Sequence, residues 1–497
     1  MDKFDSPNNL AKPVNVIPVI ETMPADLLTP LAVYLKLSAD EETSFLFESV
    51  EGGEALGRYS FIGTKPDEIV RGNAYSSTIL KAGCQKHLKL SPMDYLRQHF
   101  ARYRIAGDAE LPGFSGGAIA IFNFACARWF EPKLNEALPA GDDHATLLFF
   151  RSIVAFDHIQ QEIKIVSLVF ADEIEGEETR LDQALADASA RNRKIRQILE
   201  NRPVQIPRKK IRRQTAEISS NWRRSDFLAA VGKIKDAIYA GDAYQVVLSQ
   251  RFERKTTASP IAIYRAIRSI NPSPYMFLIA DGTRPIIGAS PEMLVRLRGN
   301  LLEYRPIAGT RPRDADAAKD AHLAADMLAD EKEIAEHMML VDLGRNDLGR
   351  VAEYGTVKVE RLMSIEKYSH VQHLVSALSA FPREGFDRFD AFAACFPAGT
   401  VSGAPKVRAI EIISELEPTP RGVYSGAIGY FDYSGNMDTC IAIRTMTLED
   451  GVARVQAGAG IVADSIPENE YEETVNKAKA LLGAIDSAER SENEDGK

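Results

Sequence analysis

Between residues 16 and 170, apolar positions come in short runs separated by turn residues, which is the rhythm of strands. The clearest runs are Ser44-Phe-Leu-Phe-Glu-Ser-Val50, Gly117-Ala-Ile-Ala-Ile-Phe-Asn-Phe124 and Ile163-Lys-Ile-Val-Ser-Leu-Val-Phe170. Residues 177–200 are charged, alanine-rich and free of Pro and Gly, which predicts a surface helix. Residues 201–220 contain Pro203, Pro207 and the run Arg208-Lys-Lys-Ile-Arg-Arg213, and read as a linker. Helical periodicity returns at 226–240 and stops at Gly241. A strand is expected at 243–252, and a hairpin from 286–298 and 301–307 around Gly299-Asn300. Further strands at 425–431, 438–448 and 452–462 have links short enough to require antiparallel neighbours. Helices are expected at about 316–344, 366–381, 404–416 and 467–485. The pattern predicts an α+β fold, with large antiparallel sheets packed together and covered by helices. It divides into an N-terminal α+β region at 16–200, the linker at 201–220 and a second domain at 221–485.

Composition narrows the function class. Sixty basic against 70 acidic residues give a net charge of −10, which argues against a general nucleic-acid binder. The basic run in the linker reads as solvated chain, with a nucleic-acid or localisation patch as its alternative. Four cysteines, Cys84, Cys126, Cys395 and Cys440, form no C-x-x-C pair, so neither a zinc site nor a disulfide framework is indicated. They are expected to be reduced and buried. No apolar run is long enough to span a membrane, and the first residues lack a signal-peptide pattern. A cytoplasmic protein is the resulting expectation.

The candidate chemistry begins with acids. Asp330-Glu-Lys-Glu-Ile-Ala-Glu-His-Met-Met-Leu-Val-Asp342 reads as a helix with Glu333 and Glu336 one turn apart. His337 and Leu340 fall on the same face, beside an apolar stripe of Ile334, Met338 and Val341. Such a pair is either a solvated edge or half of a cation site. A second pair, Glu470 and Glu473, follows Ser465-Ile-Pro-Glu468, a pattern like a capping box, with Lys477 one turn beyond. Two helices offering two glutamates each to one point would form a hard oxygen site suited to Mg²⁺. Pro397-Ala-Gly-Thr-Val-Ser-Gly-Ala-Pro-Lys406 enters a helix and is either an anion-binding turn or an ordinary cap. Gln456-Ala-Gly-Ala-Gly-Ile461 ends a strand with glycines that permit close approach of a ligand or mark a bulge. Arg444 suits a carboxylate, and His373, one of eight histidines, suits proton transfer. There is no Walker P-loop, G-x-G-x-x-G after a strand, G-x-S-x-G elbow or glutaminase-like cysteine segment.

Together these segments resemble the chorismate-utilising enzymes, and most closely the large subunit (component I) of anthranilate synthase. The resemblance rests on Gly241-Asp-Ala-Tyr-Gln-Val-Val-Leu-Ser-Gln250, Ala289-Ser-Pro-Glu-Met293 and Arg305-Pro-Ile-Ala-Gly-Thr-Arg311, with 330–346, 397–406 and 457–474. It runs from about residue 42 to 483, more thinly at the N-terminal end. It implies that chorismate and ammonia give an aminodeoxyisochorismate, which loses pyruvate to form anthranilate. It also implies Mg²⁺ on Glu336 and Glu473, with Glu333 and Glu470 close by. By the same resemblance, Arg444, Tyr424 and the backbone at Gly458 and Gly460 hold the enolpyruvyl carboxylate. Glu292 lies near the departing hydroxyl, Gly309, Thr310 and Thr400 line the pocket, His373 assists pyruvate elimination, and Lys477 is a further pocket residue.

Two positions separate the siblings within the resemblance. Water-adding relatives carry a lysine where this chain has Gln245, and relatives giving a 4-amino product carry one where it has Ala308. Water needs a base, whereas ammonia already has its lone pair, and alanine cannot act as a nucleophile. Both positions favour amination at C2. The resemblance also implies a tryptophan feedback site. Leu46-Phe-Glu-Ser49 supplies Glu48 and Ser49, and Asn271-Pro-Ser-Pro-Tyr-Met276 supplies Pro274, Tyr275 and Met276; core packing is the alternative role. Phe47 replaces the usual leucine, and 117–125 departs from the usual Gly-Tyr-Phe-Gly-Tyr-Asp. A separate glutamine amidotransferase subunit (component II) is implied as the ammonia source. The competing readings are an aminodeoxyisochorismate synthase without lyase activity and a non-catalytic tryptophan-binding subunit.

Overall fold

The computed structural model describes residues 15–494 except 50–56, 106–110, 140, 175–177, 207–216, 283 and 369–370. The basic run at 208–213, Val50 and His370 lie outside the described residues. Two 12-stranded antiparallel sheets form the frame, as the alternating runs predict. The largest apolar core lies between the sheets, where Phe45 and Phe61 of one meet Phe149 and Tyr430 of the other side. Helices Pro30–Ser38, Pro260–Ile270 and Pro467–Glu494 cover the outer face of the first sheet and bury Leu35, Tyr264, Leu481 and Ile485. Helix Glu178–Asn201 lies where the charged stretch places it, mostly exposed. Strands from both sides of 201–220 share each sheet: Thr43–Glu48 pairs with Tyr275–Asp281, and Gly117–Phe122 with Ala427–Asp432. Among the described residues no helix is long and apolar enough to cross a membrane.

Three expected elements are corrected. Residues 366–381 are not a helix: Lys358–Lys367 and Val371–Ala380 are paired strands. Val371–Ala380 also pairs with Ile307–Pro312 and is buried on both faces, so the two-residue alternation that would have identified it is absent. The expected hairpin at 286–307 is split. Ile286–Ser290 belongs to one sheet and Met293–Arg298 to the other, and only Met293–Arg298 and Leu301–Tyr304 form a hairpin. The expected strand at 438–448 divides in the same way into Met437–Ile441 and Thr445–Glu449. These two crossings run side by side, with Gly288 opposite Thr445 and Met293 opposite Cys440. Glu292 sits in one crossing and Arg444 in the other.

Smaller differences follow from packing. The 316–344 helix is two helices, Ala317–Ala329 and Glu331–Gly349, separated by Asp330, whose side chain caps the second by accepting from the Lys332 and Glu333 amides. Met338 is exposed and is not part of an apolar stripe, whereas His337 is buried. Cys126, Cys395 and Cys440 are buried free thiols, but Cys84 is exposed because it lies on an edge strand, Cys84–Leu88.

Candidate functional site

A cavity of about 610 Å³ opens where the two crossings meet the acid-bearing helices. It brings together Gln245, Glu292, Thr310, Glu336, His373, Thr400, Tyr424, Arg444, Gly458, Gly460, Glu470, Glu473 and Lys477. Gly309 and Glu333 do not line it. Glu333 Oε1 instead accepts from Arg311 (2.9 Å), and Gly309 takes a positive φ of 59° between Met327 and Leu374.

The crossings set the central charges. The Ile441 amide donates to the Glu292 carbonyl and the Ala289 amide to the Arg444 carbonyl, both at 3.1 Å, which fixes the two backbones together. Arg444 holds a left-handed φ of 48°, a costly conformation for a residue with a Cβ and one often retained at functional positions. Its guanidinium has no ion pair among the described residues, and burial lowers its pKa, against the opposing pull of the Glu292 charge. Burial raises the Glu292 carboxyl, although Thr400 Oγ1 donates to it (2.9 Å) and Arg444 and Lys477 favour its charge. A cation without a fixed anion beside an acid whose proton is held more tightly than usual suits a carboxylate next to a proton donor.

On Val371–Ala380, His373 lies opposite Thr310 in register, and its Nδ1 is 3.0 Å from Thr310 Oγ1 and 2.9 Å from the Gly309 carbonyl. A carbonyl only accepts, so this contact places the proton on Nδ1 and the lone pair of the neutral ring on Nε2. At the other wall, the glycines leave room for pocket side chains. A Cβ on Gly460 would lie 2.3 Å from Gln245 Nε2, and one on Gly458 2.9 Å from the Tyr424 hydroxyl. Burial pushes Tyr424 up to about 12, so its hydroxyl stays protonated and can donate.

The acids of helices Glu331–Gly349 and Pro467–Glu494 face one another across the cavity. Desolvation, then the Glu333 and Glu473 charges, raise Glu336; desolvation and the Glu473 charge raise Glu470. Lys332 and Lys477 oppose both shifts, and Lys477 Nζ lies 2.7 Å from Glu473 and 3.1 Å from the Gly458 carbonyl. Among the described residues no three His, Cys, Asp or Glu side chains converge at ligating distance. The donor chemistry nevertheless fits a hard divalent cation: carboxylates from two helices repel each other, and two lysines supply the balancing charge in this arrangement. Sequence reasoning missed Lys332, although its position one turn before Glu336 was a usable signal. It also missed the Gln456 side chain, which lines the cavity.

A second cavity, of about 460 Å³, holds all five residues assigned to the feedback site: Glu48, Ser49, Pro274, Tyr275 and Met276. Register explains the meeting, since Glu48 lies directly opposite Met276. Glu48 accepts from Tyr264 (2.5 Å) and Arg268 (3.2 Å). Ser49 Oγ is buried with no hydrogen-bond partner among the described residues, and Tyr59, Phe61 and Tyr430 supply aromatic walls. The departure at Phe47 places an aromatic ring here, edge-on to Phe45 and Phe277.

A fold of two such sheets, with two chain crossings and two facing acidic helices, defines a class. The chain belongs to the chorismate-binding enzymes, a family whose match spans residues 42–483. It is 44% identical to anthranilate synthase component 1 of Pseudomonas putida, over 96% of this chain and 97% of that one. It is 43% identical to the Aquifex aeolicus protein of the same name, over 98% of each. Among solved structures, anthranilate synthase component I from Streptococcus pneumoniae superposes with a TM-score of 0.71 at 34% identity, covering 93% of this chain and 99% of that one. A menaquinone-specific isochorismate synthase from Escherichia coli shares the fold, with a TM-score of 0.68 at 20% identity and 96% of each chain covered.

Proposed function

We propose that the protein converts chorismate and ammonia to anthranilate and pyruvate, the step that commits chorismate to tryptophan biosynthesis. The observation that carries this reading is the joint presence of Glu292, Arg444, Gln245 and the facing glutamates around one cavity, in a chain 44% identical to a component 1 over nearly its whole length. Ammonia attacks ring carbon C2 with its lone pair while the C4 hydroxyl departs. Hydroxide is a poor leaving group, and Glu292, whose proton burial makes harder to lose than that of an ordinary carboxyl, gives it a proton so that it leaves as water. Arg444 and Tyr424 orient the enolpyruvyl carboxylate by charge-assisted hydrogen bonds. In the second step the C2 proton leaves to His373 Nε2, the bond between ring C3 and the enolpyruvyl oxygen breaks, the ring becomes aromatic, and the released enolate takes up a proton to become pyruvate.

Mg²⁺ would be held by Glu336 and Glu473, with Glu333 and Glu470 nearby, and when bound it would offset charge on the ring carboxylate. Gln245 and Ala308 both line the cavity, which supports amination at C2 over hydration or a 4-amino product. The relatives' designation as component 1 supports a separate glutamine amidotransferase, component II, as the source of ammonia. The Glu48 cavity supports feedback inhibition by tryptophan: Glu48 pairs with its ammonium, the unpartnered Ser49 hydroxyl adds a hydrogen bond, and Pro274, Tyr275 and Met276 pack the indole. The purified chain is expected to use free ammonia, and to use glutamine only after the second subunit is added. Glutamine-dependent turnover by the chain alone would contradict this.

A further inference from the structure

A third cavity, of about 250 Å³, lies on the far side of Tyr424 and Gln456, which line both it and the catalytic cavity. Its lining includes four arginines, Arg251, Arg284, Arg421 and Arg454, and no acid, in a chain whose net charge is −10. Strand register builds it. Arg251 lies opposite Gln456, and Arg454 opposite Thr447, so the alternation of adjacent strands turns these side chains to one face.

The four cations are not equivalent. Arg421 is fully engaged, donating to Glu417 and to the Val401 and Val247 carbonyls, and forms part of the frame. Arg454 pairs with Glu253 and Glu449. Arg251 Nε is 3.2 Å from Glu253 yet is buried without a hydrogen bond. Arg284 has no ion pair among the described residues. The cavity therefore holds cationic donors in excess of its counter-ions, and a concave site of that kind favours an anion.

We propose that this cavity is a second anion site, and that it receives the three-carbon carboxylate released from the catalytic cavity. This rests on the proposed reaction, in which Tyr424 holds the carboxylate of the fragment that becomes pyruvate. Tyr424 and Gln456 are the wall shared by that contact and the cavity lined by Arg251 and Arg284.

The test is binding of ¹³C-labelled pyruvate to the full chain without chorismate, followed by NMR line broadening and compared across variants. Arg284→Ala, at a half-buried position outside the catalytic cavity, is expected to weaken binding at least fivefold, while Arg444→Ala leaves a saturable site in place. In the ammonia assay, pyruvate should lower kcat without raising KM for chorismate, and Arg284→Ala should remove that effect. No pyruvate binding, or binding lost in Arg444→Ala but kept in Arg284→Ala, would each overturn the proposal. A chain that binds pyruvate in this way but never turns over chorismate would instead refute the reaction, and the two failures are thereby distinguished.

Discussion

The catalytic and Glu48 cavities lie in one frame but treat their charged groups in opposite ways. In the catalytic cavity charges are left in tension: burial first and neighbouring acids second raise Glu336 and Glu470, and Arg444 has no ion pair among the described residues. In the Glu48 cavity the carboxylate already has Tyr264 and Arg268, and the walls are aromatic. Unrelieved charge suits a site where charge develops during a reaction. A carboxylate oriented by fixed donors, beside an orphan hydroxyl and an apolar wall, suits reversible capture of an amphipathic ligand.

Substitutions that relieve the tension should affect catalysis only. The largest effect is expected for Glu336→Gln and Glu473→Gln, each reducing anthranilate formation to background while Tm stays near that of the parent; calorimetry should show Mg²⁺ affinity falling in parallel. Near-parental rates in either variant would remove the metal assignment. Glu292→Gln should follow, with kcat down roughly 10²–10⁴-fold, the usual size of a general-acid contribution. Because burial raises its pKa, the active protonated form persists to higher pH than for an ordinary carboxyl and is lost as pH rises through the raised value. The alkaline limb of the kcat profile should therefore flatten in Glu292→Gln, and an unchanged limb would exclude Glu292 as the acid. Arg444→Ala should cost about 1.5–3 kcal/mol in kcat/KM, roughly 10–150-fold, as for loss of a hydrogen bond to a charged group.

The smallest effect on catalysis tests the other cavity. Glu48→Gln should leave kcat and KM unchanged while tryptophan inhibition weakens about tenfold or more, as expected for losing a charge-assisted contact. A variant with lowered kcat and unaltered inhibition would reverse the roles of the two cavities.

Legibility in the sequence followed locality. Helix Glu331–Gly349 and strands Thr43–Glu48, Gly117–Phe122 and Val452–Ile461 were readable because each carries its own periodicity or caps. The strand bearing His373 was read as a helix because burial on both faces erased its alternation. The crossing at Glu292 carries a local mark, Pro291 between Ser290 and Met293, whereas no proline or glycine marks the crossing at Arg444. Site residues were named largely through resemblance. Their meeting depends on register, such as His373 opposite Thr310 and Glu48 opposite Met276, which is a long-range property. Lys332, one turn from Glu336, is legible from helical spacing alone.

The most direct test is to incubate the purified chain with chorismate and ammonia, with and without Mg²⁺, and follow anthranilate by fluorescence and pyruvate by a coupled assay. Anthranilate and pyruvate formed in equal amounts, only when Mg²⁺ is present, is the predicted result. No product in the presence of Mg²⁺, or an aminated product without pyruvate, would contradict it.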